Sequence, residues 1–211
     1  DRLKLAEGYQ LSVVAKISNA RQMALGEPGS LFVGSRRAGK VYRLRDTDGD
    51  GIYEQRDVLL QGLNMPSGIA YRDSRLYIAA VNQLLRLNNA DRVTAQTANT
   101  ELITNQLPNI SHHGWKYLKF GPDGHLYFNL GAPCNICLSD DPRFASIMKL
   151  NLSNNTQAIV AHGVRNSVGF AWHPDTQELW FTDNGRDNLG DDRPDDELNR
   201  LTALGQHFGY P

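Results

Sequence analysis

Cysteine is nearly absent from this chain: its 211 residues hold two, Cys134 and Cys137, as a single C-x-x-C. A zinc site needs two more soft or imidazole ligands nearby, and none is close in sequence. A thioredoxin-like pair needs a βαβ setting, which is also lacking. The favoured reading is a local disulfide in an exported protein, with two free thiols as the alternative. Charge of one sign is not in excess, since 22 basic residues face 23 acidic ones. With no basic stripe and no aromatic-basic interleaving, nucleic acid is not an expected partner. No apolar run approaches the roughly 20 residues that span a bilayer as a helix. A charged-then-apolar leader is missing too, so Asp1 reads as a start left by processing or expression, and does not by itself fix the compartment. Helical periodicity is slight.

What the chain does have is a repeat. Four segments share an apolar strand, a turn and a second apolar strand, and a third strand follows each. The second strands centre on Leu31, Leu76, Leu126 and Leu179, at intervals of 45, 50 and 53 residues by subtraction. Their turns are Gly26-Glu27-Pro28-Gly29, Arg72-Asp73-Ser74, Gly121-Pro122-Asp123-Gly124 and His173-Pro174-Asp175-Thr176. Periods near 40–50 residues with about four short strands each are the signature of propeller blades. The expectation is an all-β fold: a single propeller domain over residues 1–211, built of four-stranded antiparallel blades, about four being present. Residues 11–17 read as an extra strand that closes a ring by joining the last blade. The fourth repeat reaches Gly209-Tyr210-Pro211 without an outer strand. The sequence therefore reads as the N-terminal two-thirds of a larger propeller, with the missing C-terminal part of that propeller as a partner.

The chemistry-bearing residues fall at corresponding places in the repeats. Ser111-His112-His113 enters the innermost strand of the third blade, and inner strands line a propeller's channel. A neutral imidazole there takes a proton from an alcohol near neutral pH; a turn histidine bonded to backbone is the plain alternative. Arg165-Asn166 holds the same place in the fourth blade, where an Arg fork suits an anion or a developing oxyanion. A structural Arg tying blades through carbonyls reads equally well. Asp183-Asn184-Gly185-Arg186 ends a second strand, and such a turn offers carbonyls to a hard cation. Separately, Asp46-Thr47-Asp48-Gly49-Asp50-Gly51 opens like an EF-hand loop, with Glu54 and Asp57 at the ninth and twelfth places. Its flanks are strands, so it is either a structural calcium loop, with Asp46, Asp48 and Asp50 as ligands, or an acidic hairpin.

These motifs in this order resemble the soluble quinoprotein sugar dehydrogenases. They are the spacing from His113 to Gly121-Pro122-Asp123, Gly163-Val164-Arg165-Asn166, Asn184-Gly185-Arg186, Asp196-Glu197-Leu198-Asn199 and Phe208-Gly209-Tyr210-Pro211. The stretch from His112 through Gly131-Ala132-Pro133-Cys134-Asn135-Ile136-Cys137 is most similar to the sorbosone dehydrogenase-like branch. The resemblance implies a six-bladed propeller that binds pyrroloquinoline quinone (PQQ) and calcium (Ca2+). It implies oxidation of an aldose or related sugar, hydride passing from the anomeric carbon to the quinone. His113 is then the general base. Arg165 and Asn166 contact PQQ, with Arg165 also stabilising charge on the reacting oxygen. The carbonyls of Gly185 and Arg186 hold the calcium, which acts as a Lewis acid. His112, Ala132 and Cys137 stand at substrate-facing positions that are acidic or amide in the glucose-oxidising members. Arg186 replaces a common proline. A quinone or cytochrome electron acceptor and a periplasmic or secreted location are further expectations. Two other readings are a calcium-dependent propeller lactone hydrolase, using inward side chains such as Asn166 and Asp183, and a binding propeller without catalysis.

Overall fold

The structure is a computed structural model and describes residues 3–211. It is a β-propeller of four antiparallel blades, with no helix among the described residues. Blade 1 is β1 (Ala20–Leu25), β2 (Ser30–Ser35), β3 (Val41–Arg45) and β4 (Gln55–Leu60). Blade 2 is β5 (Gly68–Arg72), β6 (Arg75–Ala79), β7 (Leu84–Leu87) and β8 (Thr100–Thr104). Blade 3 is β9 (Leu118–Phe120), β10 (Leu126–Leu130), β11 (Ser146–Leu150) and β12 (Gln157–His162). Blade 4 has three strands, β13 (Phe170–Trp172), β14 (Leu179–Asp183) and β15 (Glu197–Arg200). The two-residue β16 (Gln206–His207) pairs in parallel with β12 on the edge of blade 3.

Strand alternation explains how the blades stack, because successive side chains point to opposite faces of a sheet. Phe32 on β2 joins Ile69, Leu76 and Ile78 between blades 1 and 2. Its neighbours Leu31 and Val33 point the other way, with Tyr42 and Leu44. Tyr77 and Ala79 meet Leu118, Leu126 and Phe128 between blades 2 and 3. Tyr127 and Ile147 meet Phe170, Leu179 and Phe181 between blades 3 and 4. Each interface thus draws one face of each neighbouring blade, and the period of two in the sequence becomes a stack of apolar layers.

The segment 11–17 departs from expectation. It forms no strand and packs on the first blade. Ala15 and Ile17 cover Leu31, Val33, Tyr42 and Leu44, the blade 1 face turned away from blade 2. Its backbone contact is Tyr53 N–H donating to Val14 O at 3.0 Å, supported by Arg56 Nη1 donating to Lys16 O at 3.2 Å. Burial of Ala15 and Ile17, rather than a hydrogen-bonded ladder, holds it.

Gln22 ties the innermost strands of three blades together. Its amide nitrogen donates to Leu118 O at 2.6 Å, and its amide oxygen accepts from Ile69 N–H at 3.0 Å and Leu118 N–H at 2.9 Å. One side chain on β1 thereby fixes β5 and β9, and with them the loop that leads into β9.

Candidate functional site

The repeat places equivalent loops at one end of the blades. The loops entering β9 and β13 carry His113 and Arg165, each five residues before its strand. The loops leaving β10 and β14 carry Ala132 and Gly185. They meet directly: Ala132 N–H donates to Arg165 O at 2.7 Å, and Asn184 N–H approaches Asn166 O at 3.4 Å.

His113 is buried and has a left-handed backbone (φ 47°), which is uncommon for a residue with a Cβ. Its Nδ1 lies 3.0 Å from Ala132 O. A carbonyl only accepts, so Nδ1 carries the proton and Nε2 is left as the basic nitrogen. Burial, then the charges of His112 and Arg165, pulls the ring down to about 4, so it is neutral at pH 7. The His112 ring lies 4.1 Å away, centroid to centroid, on an exposed residue. Gly131 lets the loop after β10 lie close against His113, because a Cβ there would meet His113 Cβ at 2.6 Å and His113 O at 2.8 Å. Next along the chain, Lys116 is fully buried with its Nζ donating to Gly114 O at 2.5 Å. Burial alone lowers its ammonium to about 7.

Arg165 is buried, and all five of its side-chain N–H bonds meet protein acceptors. Nε donates to Asn135 O at 2.8 Å, and Nη2 to Asn135 Oδ1 at 2.7 Å and Asp187 Oδ2 at 3.0 Å. Nη1 donates to Asn184 O at 3.0 Å and Gly185 O at 2.6 Å. Arg165 therefore holds the turn whose carbonyls were expected to face a cation. Asp183 accepts from the backbone N–H of Arg165 at 2.8 Å and of Asn166 at 2.6 Å, fixing both residues to β14. Burial pushes its carboxyl up to about 6 against those two hydrogen bonds. Asn166 is buried as well, and its Oδ1 has no hydrogen-bond partner. A cavity of about 370 Å³ is walled by Arg165, Asp183, Gly185, Arg186, Glu197 and Tyr210, among others. His113 is not one of its walls.

Cys134 and Cys137 are joined by a disulfide, and Cys137 N–H donates to Tyr210 Oη at 2.9 Å. Ala132 is fully buried, bonded through both its backbone N–H and its carbonyl. The structure thus gathers His112, His113, Ala132, Cys137, Arg165, Asn166 and Gly185 around one end of blades 3 and 4, with Arg186 on the cavity wall. Asp46, Asp48, Asp50 and Glu54 belong to a separate place, the β3–β4 loop, where their oxygens converge within 4.8 Å. Asp57 is instead bonded to Arg43 at 2.7 Å. Gly49 and Gly51 N–H already donate to Asp46 there. Sequence reasoning missed Asn135, Asp187 and Lys116. The C-x-x-C enclosing Asn135 was visible, but nothing in it names Arg165 as the partner.

Fold and site together define a β-propeller with a buried polar cluster at one end of two neighbouring blades. Residues 1–206 match the model of a family described as a domain of unknown function, DUF7133, and the chain belongs to that family. It is 32% identical, over 99% of its length and 56% of the relative's, to an uncharacterized protein of Borreliella burgdorferi. In fold it is similar to the PQQ domain of pyranose dehydrogenase from Coprinopsis cinerea: TM-score 0.82, 18% identity, 99% of this chain and 58% of that one. It is also similar to PQQ-bound aldose sugar dehydrogenase from Streptomyces coelicolor: TM-score 0.72, 22% identity, 95% and 65% of the two chains. The chain therefore spans little more than half the length of the relatives it matches.

Proposed function

We propose that this chain carries the base and part of the cofactor cradle of a PQQ- and calcium-dependent sugar dehydrogenase. The observation that carries the reading is His113: a buried, neutral imidazole pinned through Nδ1 to Ala132 O, with Nε2 left as the proton acceptor. The fold similarity to a PQQ domain and to a PQQ-bound aldose sugar dehydrogenase supports it.

The donor set fits both groups. Asn166 presents a buried amide oxygen without a partner, an unfilled position beside Arg165. Calcium takes oxygen ligands; a carbonyl has two lone pairs, so Gly185 O keeps one while bonded to Arg165, and Arg186 adds a second carbonyl. Arg165 and Asn166 would hold the quinone. Of the guanidinium's acceptors, the Asp187 side chain is the exposed one (71%), so it is the partner an anionic ligand would exchange. When bound, PQQ supplies a two-electron acceptor, and the protein orients the sugar against it. His113 removes the hydroxyl proton at Nε2, while Ala132 O holds Nδ1–H and so fixes the ring's tautomer. The buried Arg165 charge favours negative charge developing beside it.

In this reading the cluster of Asp46, Asp48, Asp50 and Glu54 is a second place for calcium. The disulfide supports a periplasmic or secreted location. A lactone hydrolase is less well supported, because Asp183 is already engaged with two backbone N–H groups.

The test is an absorbance titration of the protein, with the C-terminal part of the propeller present, against PQQ and calcium, followed by an aldose. Stoichiometric uptake and a sugar-induced change to the reduced quinone spectrum are expected. No uptake with calcium in excess would discard the reading.

A further inference from the structure

Blade 1 sends cations to the end of the propeller that carries His113. Arg36 and Arg37 follow β2 as Gly131 and Ala132 follow β10, and Arg21 lies at the start of β1. Arg36 N–H donates to Asn19 O at 3.0 Å, which anchors that turn beside β1. The Arg36 guanidinium then reaches across to blade 3 and lies 3.8 Å over the Trp115 ring. Trp115 in turn stands edge-on to His113, with centroids 5.9 Å apart and planes at 87°. A stack thus runs from a blade 1 cation to the candidate base.

Two features of this stack are unexplained by folding. Arg36 Nε and Trp115 Nε1 are both buried donors without a partner, and each such group costs free energy. Moreover, Arg21, Arg36 and Arg37 form no ion pair with any described carboxylate. Elsewhere Arg43, Arg86, Arg143 and Arg165 each have one. The three repel one another: burial first, then the charges of Arg37 and Arg21, holds the Arg36 guanidinium below its usual range. An anion brought here would relieve that repulsion and meet an Arg fork, which matches a carboxylate in two hydrogen bonds.

We propose that Arg21, Arg36 and Arg37, with Trp115, form a carboxylate-binding subsite beside His113. Its ligand is the acid group of a sugar acid of the uronate class or a carboxylate of the quinone itself. Choosing between these two rests on the proposed function; the carboxylate site does not. A sugar acid bound there is held at one end by its charge.

The test follows the Trp115 indole N–H and the Arg36 Nε–H by two-dimensional 15N NMR at constant ionic strength. The probes are sodium D-glucuronate, D-glucose, PQQ and sodium sulfate, each alone. Saturable shifts of both signals with glucuronate assign the site to substrate, and with PQQ alone to the cofactor; glucose gives none. Arg37→Gln combined with Arg21→Gln leaves the stack intact and weakens binding by about tenfold or more. No shift with either carboxylate, equal shifts with sulfate, or a titration unchanged in the double variant would each overturn the proposal. Because no turnover is read, loss of sugar-dependent quinone reduction would refute the proposed function and leave these outcomes standing.

Discussion

Asn135 grips Arg165 twice, its main-chain oxygen accepting from Nε at 2.8 Å and its Oδ1 from Nη2 at 2.7 Å. The same Oδ1 accepts from Asp187 N–H at 2.8 Å, so one side chain joins the guanidinium to the acidic loop. Asn135 lies inside the ring closed by the Cys134–Cys137 disulfide. The disulfide therefore restrains the residue that positions Arg165. Reducing it with dithiothreitol, or replacing both cysteines with Ser, is expected to speed hydrogen exchange at Arg165 Nε by tenfold or more, because local opening sets exchange rates. An unchanged rate would show that Asp187 and Tyr210 hold the loop alone.

His113→Gln keeps an amide in place of the ring and removes the basic nitrogen. Turnover is expected to fall by about 10²–10⁴-fold, the usual contribution of a positioned acid or base, with PQQ uptake retained. Full activity in the variant would rule out His113 as the base. The pH profile is a sharper reading. With the ring pulled down to about 4, the acid limb of kcat/KM lies near pH 4 rather than 6.5. The same depression acts on stability. Above 6.5 the ring is neutral in both states; as pH falls from 6.5 toward 4 the unfolded chain takes up the proton first, and the His113 contribution to stability is lost.

The fold was legible because its signal is repetitive. Leu31, Leu76, Leu126 and Leu179 each mark a strand that alternates between two faces, and four copies of one pattern identify a propeller where one copy identifies nothing. The site was partly legible, since His113 and Arg165 hold equivalent places in successive repeats. Their partners were not. Asn135, Asp187 and Lys116 act through contacts that depend on how loops of different blades meet, and no local pattern encodes that. Residues 11–17 misled for a related reason: their apolar residues cover Leu31 and Val33, and a covering segment has the same composition as a strand.

Lys116 supplies a stability test that owes nothing to catalysis. Burial lowers its ammonium from the usual 10.5 to about 7. A lysine depressed in the fold stabilises fully above its unfolded value, and that contribution is lost as pH falls toward the folded one. The melting temperature should therefore rise between pH 7 and 9.5. Lys116→Met, which keeps the length and removes the charge, should flatten that rise and be more stable than the native protein at pH 7. A melting temperature that does not rise with pH in the native protein would mean that the ammonium is solvated.

Gln22 tests whether the innermost strands act as one unit. Its side chain satisfies the N–H of Ile69, and both the N–H and the carbonyl of Leu118, which stand on different blades. Gln22→Leu preserves the volume and strands these backbone groups away from water. Leaving one such group unsatisfied costs about 1–3 kcal/mol, so the loss for the three is about 3 kcal/mol or more. Gln22→Glu keeps the acceptor for both N–H groups and loses only the donor to Leu118 O, so it should recover part of that stability at neutral pH. The consequence extends past stability, because Leu118 ends the loop that begins at His113. In Gln22→Leu the His113 ring signals should broaden or shift in 15N spectra at temperatures well below melting. Unchanged His113 signals together with a lowered melting temperature would show that Gln22 braces the blades without setting the site.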